Sequence, residues 1–152
     1  MLTDDVQQAM FTAMKARRSE EAATLRLALS ALRSAAIEAR RDLTDDEAVA
    51  VLQREVKNRR EAEQVYRAAN HADRADKEAL QAEVMGRFLP APLEPAELAR
   101  MVEEAIASTG ASGPRELGKV MGRVMPAVRG RADGNQVRQM VLDRLQGQGQ
   151  RD

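Results

Sequence analysis

The chain has 152 residues, no cysteine, and equal numbers of basic and acidic side chains, 24 of each. This length suits one domain or two small ones, and the lack of cysteine excludes disulfides and thiolate chemistry. Aromatic residues make up only 2% of the chain, so the core must consist of Leu, Val, Ala and Met, which favours packed helices over a sheet.

Two amphipathic helices are predicted at the start of the chain. Thr3 or Asp4 is expected to cap the first and Ser19 the second, because side-chain oxygens accept the free N–H groups of a helix start. The second helix carries an arginine every seven residues: Arg26, Arg33 and Arg40. Acidic residues (Glu38, Glu55 and Glu61) are interleaved with these arginines and with the basic residues of the following helix. The sequence therefore favours a solvated face over a binding site for these arginines and for Arg54, Lys57 and Arg60.

The next two helices are bounded by clearer signals. Thr44 and Glu47 have the spacing of a capping box, which predicts a third helix from there to about Ala69. The segment Asn70–His71 is expected to break that helix. A fourth helix should then end before Pro90, since proline disfavours helical backbone at the residue before it.

A proline-rich segment separates two parts of the chain. Residues 90–95 hold three of the five prolines, which predicts a semi-rigid linker. We therefore expect an all-α protein with an N-terminal domain of about four helices over residues 1–90 and a small three-helix domain over residues 91–152. Pro95 suits the first position of the fifth helix, and Gly110 suits its end.

The stretch from Leu117 to Gly134 is the most distinctive part of the sequence. Apolar residues recur in it at helical spacing: Leu117, Val120, Met121 and Val124. They predict a short amphipathic helix, and Pro126 is expected to end it because proline lacks an N–H group. Asp133 is expected to cap a last helix that runs to about Leu145, and the chain from Gly147 onward is expected to fray.

Positive charge collects in this same stretch. Residues 1–109 contain 16 basic and 20 acidic residues, whereas residues 110–152 contain eight and four. The basic residues of the stretch lie among glycines, where a phosphate backbone could approach the chain closely. The candidate nucleic-acid-binding residues are Lys119, Arg123, Arg129 and Arg131 with Gly118, Gly122, Gly130 and Gly134. The alternative is that Gly118 and Gly122 serve only the close packing of helices.

The sequence offers no catalytic constellation. His71 is the only imidazole, and no nucleophile has a signalled place beside it. The adjacent acids Asp45, Asp46 and Glu47 suit a helix start better than a metal site. We therefore expect no catalytic residue, no metal and no cofactor. No apolar run reaches the length of a membrane span and cysteine is absent, so we expect no membrane association and a cytoplasmic location.

The pattern Met-Gly-x-Val-Met-x-x-Val-x-Gly-x-x-Asp-Gly, from Met121 to Gly134, resembles the GatB/YqeY family. The resemblance extends to Leu43–Glu47, Glu55–Arg60 and Phe88–Pro90. That family unites a free-standing small protein with the tail domain of the B subunit of the tRNA-dependent Asp/Glu amidotransferase. The resemblance implies a helical N-terminal domain and a small helical tail domain that contacts the tRNA body.

These observations lead to two functional hypotheses. The first is a non-catalytic tRNA-binding module related to glutamine-dependent amidation of Asp-tRNA or Glu-tRNA, a carbon–nitrogen ligase reaction that the chain is not expected to perform by itself. The resemblance implies tRNA as partner, with amidotransferase subunits or an aminoacyl-tRNA synthetase as protein partners. The second hypothesis is a protein–protein adaptor that docks through the small helical domain.

Overall fold

The computed structural model describes residues 1–149, which fold into seven α-helices and one 3-10 turn without any strand, so the all-α prediction is confirmed. The chain divides into two compact units: Met1–Leu89, the first unit, and a second unit that begins at Pro90. Within the described residues, every helix is too short or too polar to cross a bilayer.

Four helices make up the first unit: α1 (Leu2–Lys15), α2 (Ser19–Ala39), α3 (Asp45–Ala68) and α4 (Ala72–Gly86). The helices α1 and α2 pack as one pair and α3 and α4 as another, and α2 also contacts α3 and α4. The largest side chains buried between them are Leu25, Leu29, Leu32, Leu52 and Met85. The core thus consists of aliphatic side chains and methionine, as the composition requires.

The predicted caps of α1 and α2 are wrong. The helix α1 begins at Leu2, and the backbone N–H of Leu2 donates to Asp45 Oδ1 at 2.8 Å, so its cap comes from the start of α3. Only three residues connect α1 to α2, and this tight turn places Arg18 at the N-cap. Ser19 is therefore already the first helical residue, and no side chain caps this helix start.

Three helices of the first unit end with a left-handed residue: Arg17, Arg40 and Asn70, with φ angles of 58°, 57° and 62°. In each case the next N–H group bonds back across the last turn, as in the bond of 2.8 Å from His71 N to Tyr66 O. The predicted break at Asn70–His71 is confirmed. The ring of Tyr66 meets His71 edge-on at 6.4 Å and lies 5.9 Å from the guanidinium carbon of Arg74.

The junction between α2 and α3 contains the predicted capping box. Thr44 Oγ1 accepts from the N–H of Glu47 at 3.2 Å, and the N–H of Thr44 donates to Glu47 Oε2 at 2.9 Å. Arg41 binds the same carboxylate with both terminal nitrogens, at 2.8 and 2.7 Å. The hydrogen bonds from Arg41 have the largest effect on the pKa of Glu47, followed by the bond from the Thr44 backbone, and together they lower it to about 2.

The helix α4 ends earlier than predicted, at Gly86, and Arg87–Leu89 turn away from it. The N–H groups of Phe88 and Leu89 bond three residues back, to Met85 and Gly86. This tighter turn directs both half-buried side chains onto the core of the first unit. Packing therefore decides this helix end before Pro90 can.

Three helices make up the described part of the second unit: α5 (Pro95–Thr109), α6 (Leu117–Val128) and α7 (Gly134–Gly149), with a 3-10 turn, Pro114–Glu116, before α6. Pro95 occupies the first turn of α5 and Gly110, with φ 69°, ends it, as predicted. The core residues with no exposed surface are Val102, Val120, Val128, Val137, Val141 and Leu145.

The last helix is longer than predicted. The helix α7 continues past Leu145 and Gly147 to Gly149, so the expected fraying from Gly147 is wrong up to that residue. Leu145 is fully buried and anchors the last turns, and glutamine, which is frequent here, has a good helix propensity. Residues 150–152 of the expected frayed tail lie outside the described residues.

Candidate nucleic-acid interface

The helix α6 has two sharply different faces. Val120, Val124 and Val128 recur every four residues and are buried against α5 and α7. The opposite side, which we call the outer face of α6, consists of exposed residues: Gly118, Lys119, Gly122 and Arg123. Because residues three or four apart lie on one side of a helix, the sequence places two glycines and two cations together on the solvent side.

The glycines of this face are open. A Cβ atom built on Gly118 or Gly122 would meet no described atom within 4 Å beyond their own helix backbone and chain neighbours. The alternative that these glycines serve helix packing is therefore unsupported in the part of the second unit that the structure describes. Glycine in a helix interior costs about 1 kcal/mol relative to alanine, and here no internal contact offsets that cost.

Pro126 lies inside α6, so the prediction that it ends this helix is wrong. The helix continues to Val128, and the N–H of Arg129 still bonds to Met125 O at 2.9 Å. Proline removes one helical bond, the one to the carbonyl of Gly122, and burial of Val128 holds the last turn in place. The Gly122 carbonyl therefore lacks its helical donor on the exposed side.

The four predicted cations occupy different environments. Lys119, Arg123 and Arg129 are exposed, and neither arginine forms an ion pair with any described residue. Arg131 is half-buried, and its Nε donates to the carbonyl of Ala91 at 3.0 Å. The carbonyl of Arg131 in turn accepts the N–H of Leu93 at 2.9 Å. Hydrogen bonds of Arg131 therefore connect the start of the second unit to the turn after α6.

The carboxylate of Glu116, directly before α6, is already engaged. Glu116 Oε2 accepts the backbone N–H of Ser112 at 2.6 Å. This hydrogen bond is the main cause of a lowered pKa of Glu116. Burial acts in the opposite direction, and the positive charge of Lys119 lowers the pKa further. No acidic residue occurs between Glu116 and Asp133, so α6 itself contributes only cations to this face, while Glu104 of α5 lines the same surface cavity as Arg123.

The other two predicted glycines form the turn between α6 and α7. Gly130 is buried and has a φ angle of 80°, a left-handed conformation that favours glycine. Gly134 is the first residue of α7, and the carbonyl of Asp133 accepts the first helical bond, from Val137 at 3.0 Å. Asp133 thus lies at the predicted cap position. Gly130 shapes the backbone here and offers no open surface.

Arg115 is a cation that the sequence reasoning missed. It is exposed in the 3-10 turn, four residues before Lys119 and eight before Arg123. The spacing of four residues between Arg115, Lys119 and Arg123 is visible in the sequence. It adds a cation one turn before Lys119. The contact of Arg131 with Ala91 had no such signal, because 40 residues separate the two positions.

The residues of the outer face of α6 offer chemistry that suits the binding of an anion. No group of three or more His, Asp or Glu side chains within residues 1–149 is arranged to hold a metal ion. His71 is exposed in the first unit and its ring contacts Tyr66. The outer face of α6 can therefore attract an anion and accept close approach, but it holds no described acid–base pair.

Comparison with known proteins identifies the family. The family model described as Yqey-like protein matches residues 3–145. An uncharacterized protein of Schizosaccharomyces pombe is 31% identical over 85 residues, which cover 56% of this chain and 69% of that protein. The family match includes all of α6 and its outer face. The chain therefore belongs to the YqeY-like family.

Proposed function

We propose that this protein is a non-catalytic tRNA-binding module and that the outer face of α6 holds the RNA backbone. One observation carries the proposal: Lys119 and Arg123 project from a helix face that has no acidic residue and two uncovered glycines. Cations supply the sequence-independent affinity of nucleic-acid binding. The glycines allow the sugar–phosphate backbone to lie directly against the helix.

The residue types favour recognition of RNA shape over recognition of bases. All three aromatic residues lie within residues 1–89, so the second unit has no ring on which a base can stack. Pro126 leaves the Gly122 carbonyl without its helical donor, and we propose this carbonyl as an acceptor that favours RNA over DNA. A ribose 2′-hydroxyl can donate to such a carbonyl, and this hydroxyl is what lets a protein distinguish RNA from DNA.

We further propose a relation to glutamine-dependent amidation of Asp-tRNA or Glu-tRNA. The support is the resemblance of the stretch Met121–Gly134 to the tail domain of the amidotransferase B subunit, together with the cationic face that this stretch forms. The ligase reaction itself would belong to amidotransferase subunits as protein partners. This chain would contribute contacts to the tRNA body.

The adaptor hypothesis has less surface available to it. It requires apolar helix faces of the second unit that are free to dock on a partner. Among the described residues of that unit, no large hydrophobic side chain is exposed. The apolar side of α6 is covered by α5 and α7, so we prefer the RNA proposal.

The test is the salt dependence of tRNA binding by the full chain. Replacing two cations, Lys119→Gln with Arg123→Gln, should weaken tRNA binding and reduce the slope of log affinity against log salt by about 2, or about 1 per phosphate contact. Glutamine keeps the helix propensity, so the fold should be preserved.

A matched control removes the same charge from other helices of the second unit. Arg100→Gln with Arg138→Gln affects exposed side chains of α5 and α7. We expect this variant to retain most of the affinity and most of the salt slope. Equal losses in the two variants, or an unchanged slope in the α6 variant, would contradict a site on the outer face.

A further inference from the structure

A second group of unpaired cations in the first unit consists of Arg26 and Arg33 on α2 and Arg40 at its C-cap. Arg26, Arg33 and Arg40 are exposed, and none of them forms an ion pair with a described residue. Seven residues separate neighbours in this arginine line, a distance of about 10 Å along the helix axis at 1.5 Å per residue. Each guanidinium can therefore meet a different phosphate of an extended polyanion.

The other arginines of this unit show that acidic partners are available. Residues 1–89 contain 15 basic and 16 acidic residues. Six of the nine other arginines of this unit have a carboxylate partner: Arg18, Arg41, Arg59, Arg60, Arg67 and Arg87. The other three, Arg17, Arg54 and Arg74, form no ion pair with a described residue. A shortage of acids thus does not explain why the arginine line is unpaired. In the sequence, the interleaved acidic residues favoured a simple solvated face. In the structure, none of them forms an ion pair with Arg26, Arg33 or Arg40.

Small residues lie beside the arginine line. Ala23, Ser30 and Ser34 are exposed on the neighbouring strip of α2, so a polymer backbone can approach the helix closely at these three positions. Arg40 ends the line in a left-handed conformation, where glycine would be less strained. Arg40 is exposed and lies directly after the last helical residue of α2.

We propose that Arg26, Arg33 and Arg40 form a second phosphate-binding surface for the RNA that the protein binds. This inference rests on the RNA binding proposed above but places contacts on a different helix and a different unit. Arginine suits the role because its planar guanidinium donates two parallel, charge-assisted hydrogen bonds to a phosphate. The surface would position the RNA backbone without reading its sequence.

The same side of α2 also exposes two aliphatic residues, Leu27 at 46% and Ile37 at 76%. A partner protein with an acidic amphipathic helix would use these side chains together with the arginines. RNA phosphates would use the arginines alone. Substitutions that remove one kind of side chain at a time therefore distinguish the two occupants.

The experiment measures binding of unfractionated tRNA to full-length variants over a range of salt concentrations. Arg26→Gln with Arg33→Gln should weaken binding of all tRNAs alike and reduce the salt slope by about 2. The matched control, Arg60→Gln with Arg67→Gln, removes the same charge from guanidinium groups that Glu63 already pairs. It should change the slope by much less. Leu27→Ser with Ile37→Ser should retain tRNA affinity.

The outcomes separate this inference from the proposed function. An unchanged slope in the α2 arginine variant, with a loss in the α6 variant, would overturn the second surface alone. A loss in the α2 variant with an unaffected α6 variant would support the arginine line and overturn the site on α6. A loss of tRNA binding in the Leu27→Ser, Ile37→Ser variant equal to that in the arginine variant would overturn a phosphate-only surface.

Discussion

At the scale of single residues, Gly122 is the position where stability and binding should oppose each other. It lies inside α6, is exposed, and has room for a side chain. We expect Gly122→Ala to raise the free energy of unfolding by about 0.5–1 kcal/mol, because alanine restricts the unfolded chain and favours helix. The added methyl group should at the same time weaken tRNA binding. Urea unfolding followed by far-ultraviolet circular dichroism, with a tRNA titration, measures both effects.

Gly110→Ala is the control for this substitution. Gly110 has a φ angle of 69° at the end of α5, so alanine there should destabilise the protein by about 1 kcal/mol and leave tRNA binding unchanged. A stabilised Gly122→Ala variant with full tRNA affinity would show that nothing approaches the backbone at this glycine.

Individual residues also show what the sequence could reveal about the site. The cations of α6 were predictable, because helical spacing alone sends Lys119 and Arg123 to the side opposite the valines. The anchoring of Arg131 to Ala91 was not, since it depends on how distant segments fold back on each other. Spacing thus identified the exposed cations, whereas the fold determines which of them is already engaged.

At the scale of helices, the junction between α2 and α3 should make stability depend on pH. The folded pKa of Glu47 is about 2, against an ordinary value of 4.5. The stabilising contribution of the Glu47 carboxylate to the free energy of unfolding is therefore complete above pH 4.5. It is lost as the pH falls from 4.5 toward 2. We expect Glu47→Gln to lower stability at pH 6 and to flatten the decline of stability between pH 5 and pH 3.

Urea midpoints across this pH range measure the effect. Glu61→Gln provides the control, because Glu61 is an exposed residue of the same helix that forms no ion pair with a described residue. If wild type and Glu47→Gln lose stability in parallel as the pH falls, the pair of Arg41 and Glu47 does not stabilise this junction.

Helix boundaries were predictable where neighbours in sequence decide them. The capping box of Thr44 and Glu47 involves residues three apart, and both of its hydrogen bonds form as predicted. The start of α1 depends on Asp45, 43 residues away, and could not be read locally. Likewise, the burial of Leu145 and Val128 extends α7 and α6 beyond their local stop signals. Tertiary packing overrode those signals.

At the scale of the whole molecule, each unit has its own core, and we expect the two to unfold separately. Leu52 and Leu145 are fully buried, one in each core. Leu52→Ala should destabilise the first unit and Leu145→Ala the second, each by about 2–5 kcal/mol. Scanning calorimetry should show two unfolding transitions, and each variant should lower the midpoint temperature of one of them.

The two variants serve as controls for each other. If the units act as separate domains, a substitution in one core leaves the transition of the other near its wild-type temperature. A single transition that moves equally in both variants would mean that the chain unfolds as one cooperative body.

The uneven placement of the rings has a practical consequence. The chain has no tryptophan and a single tyrosine, Tyr66 on α3, with both phenylalanines also in the first unit. Intrinsic fluorescence therefore senses the surroundings of α3 and α4, while the helix that we propose to hold RNA emits nothing. Met101 on α5 is half-buried and packs against the core of the second unit. A tryptophan introduced at this position would give the second unit its own fluorescence signal.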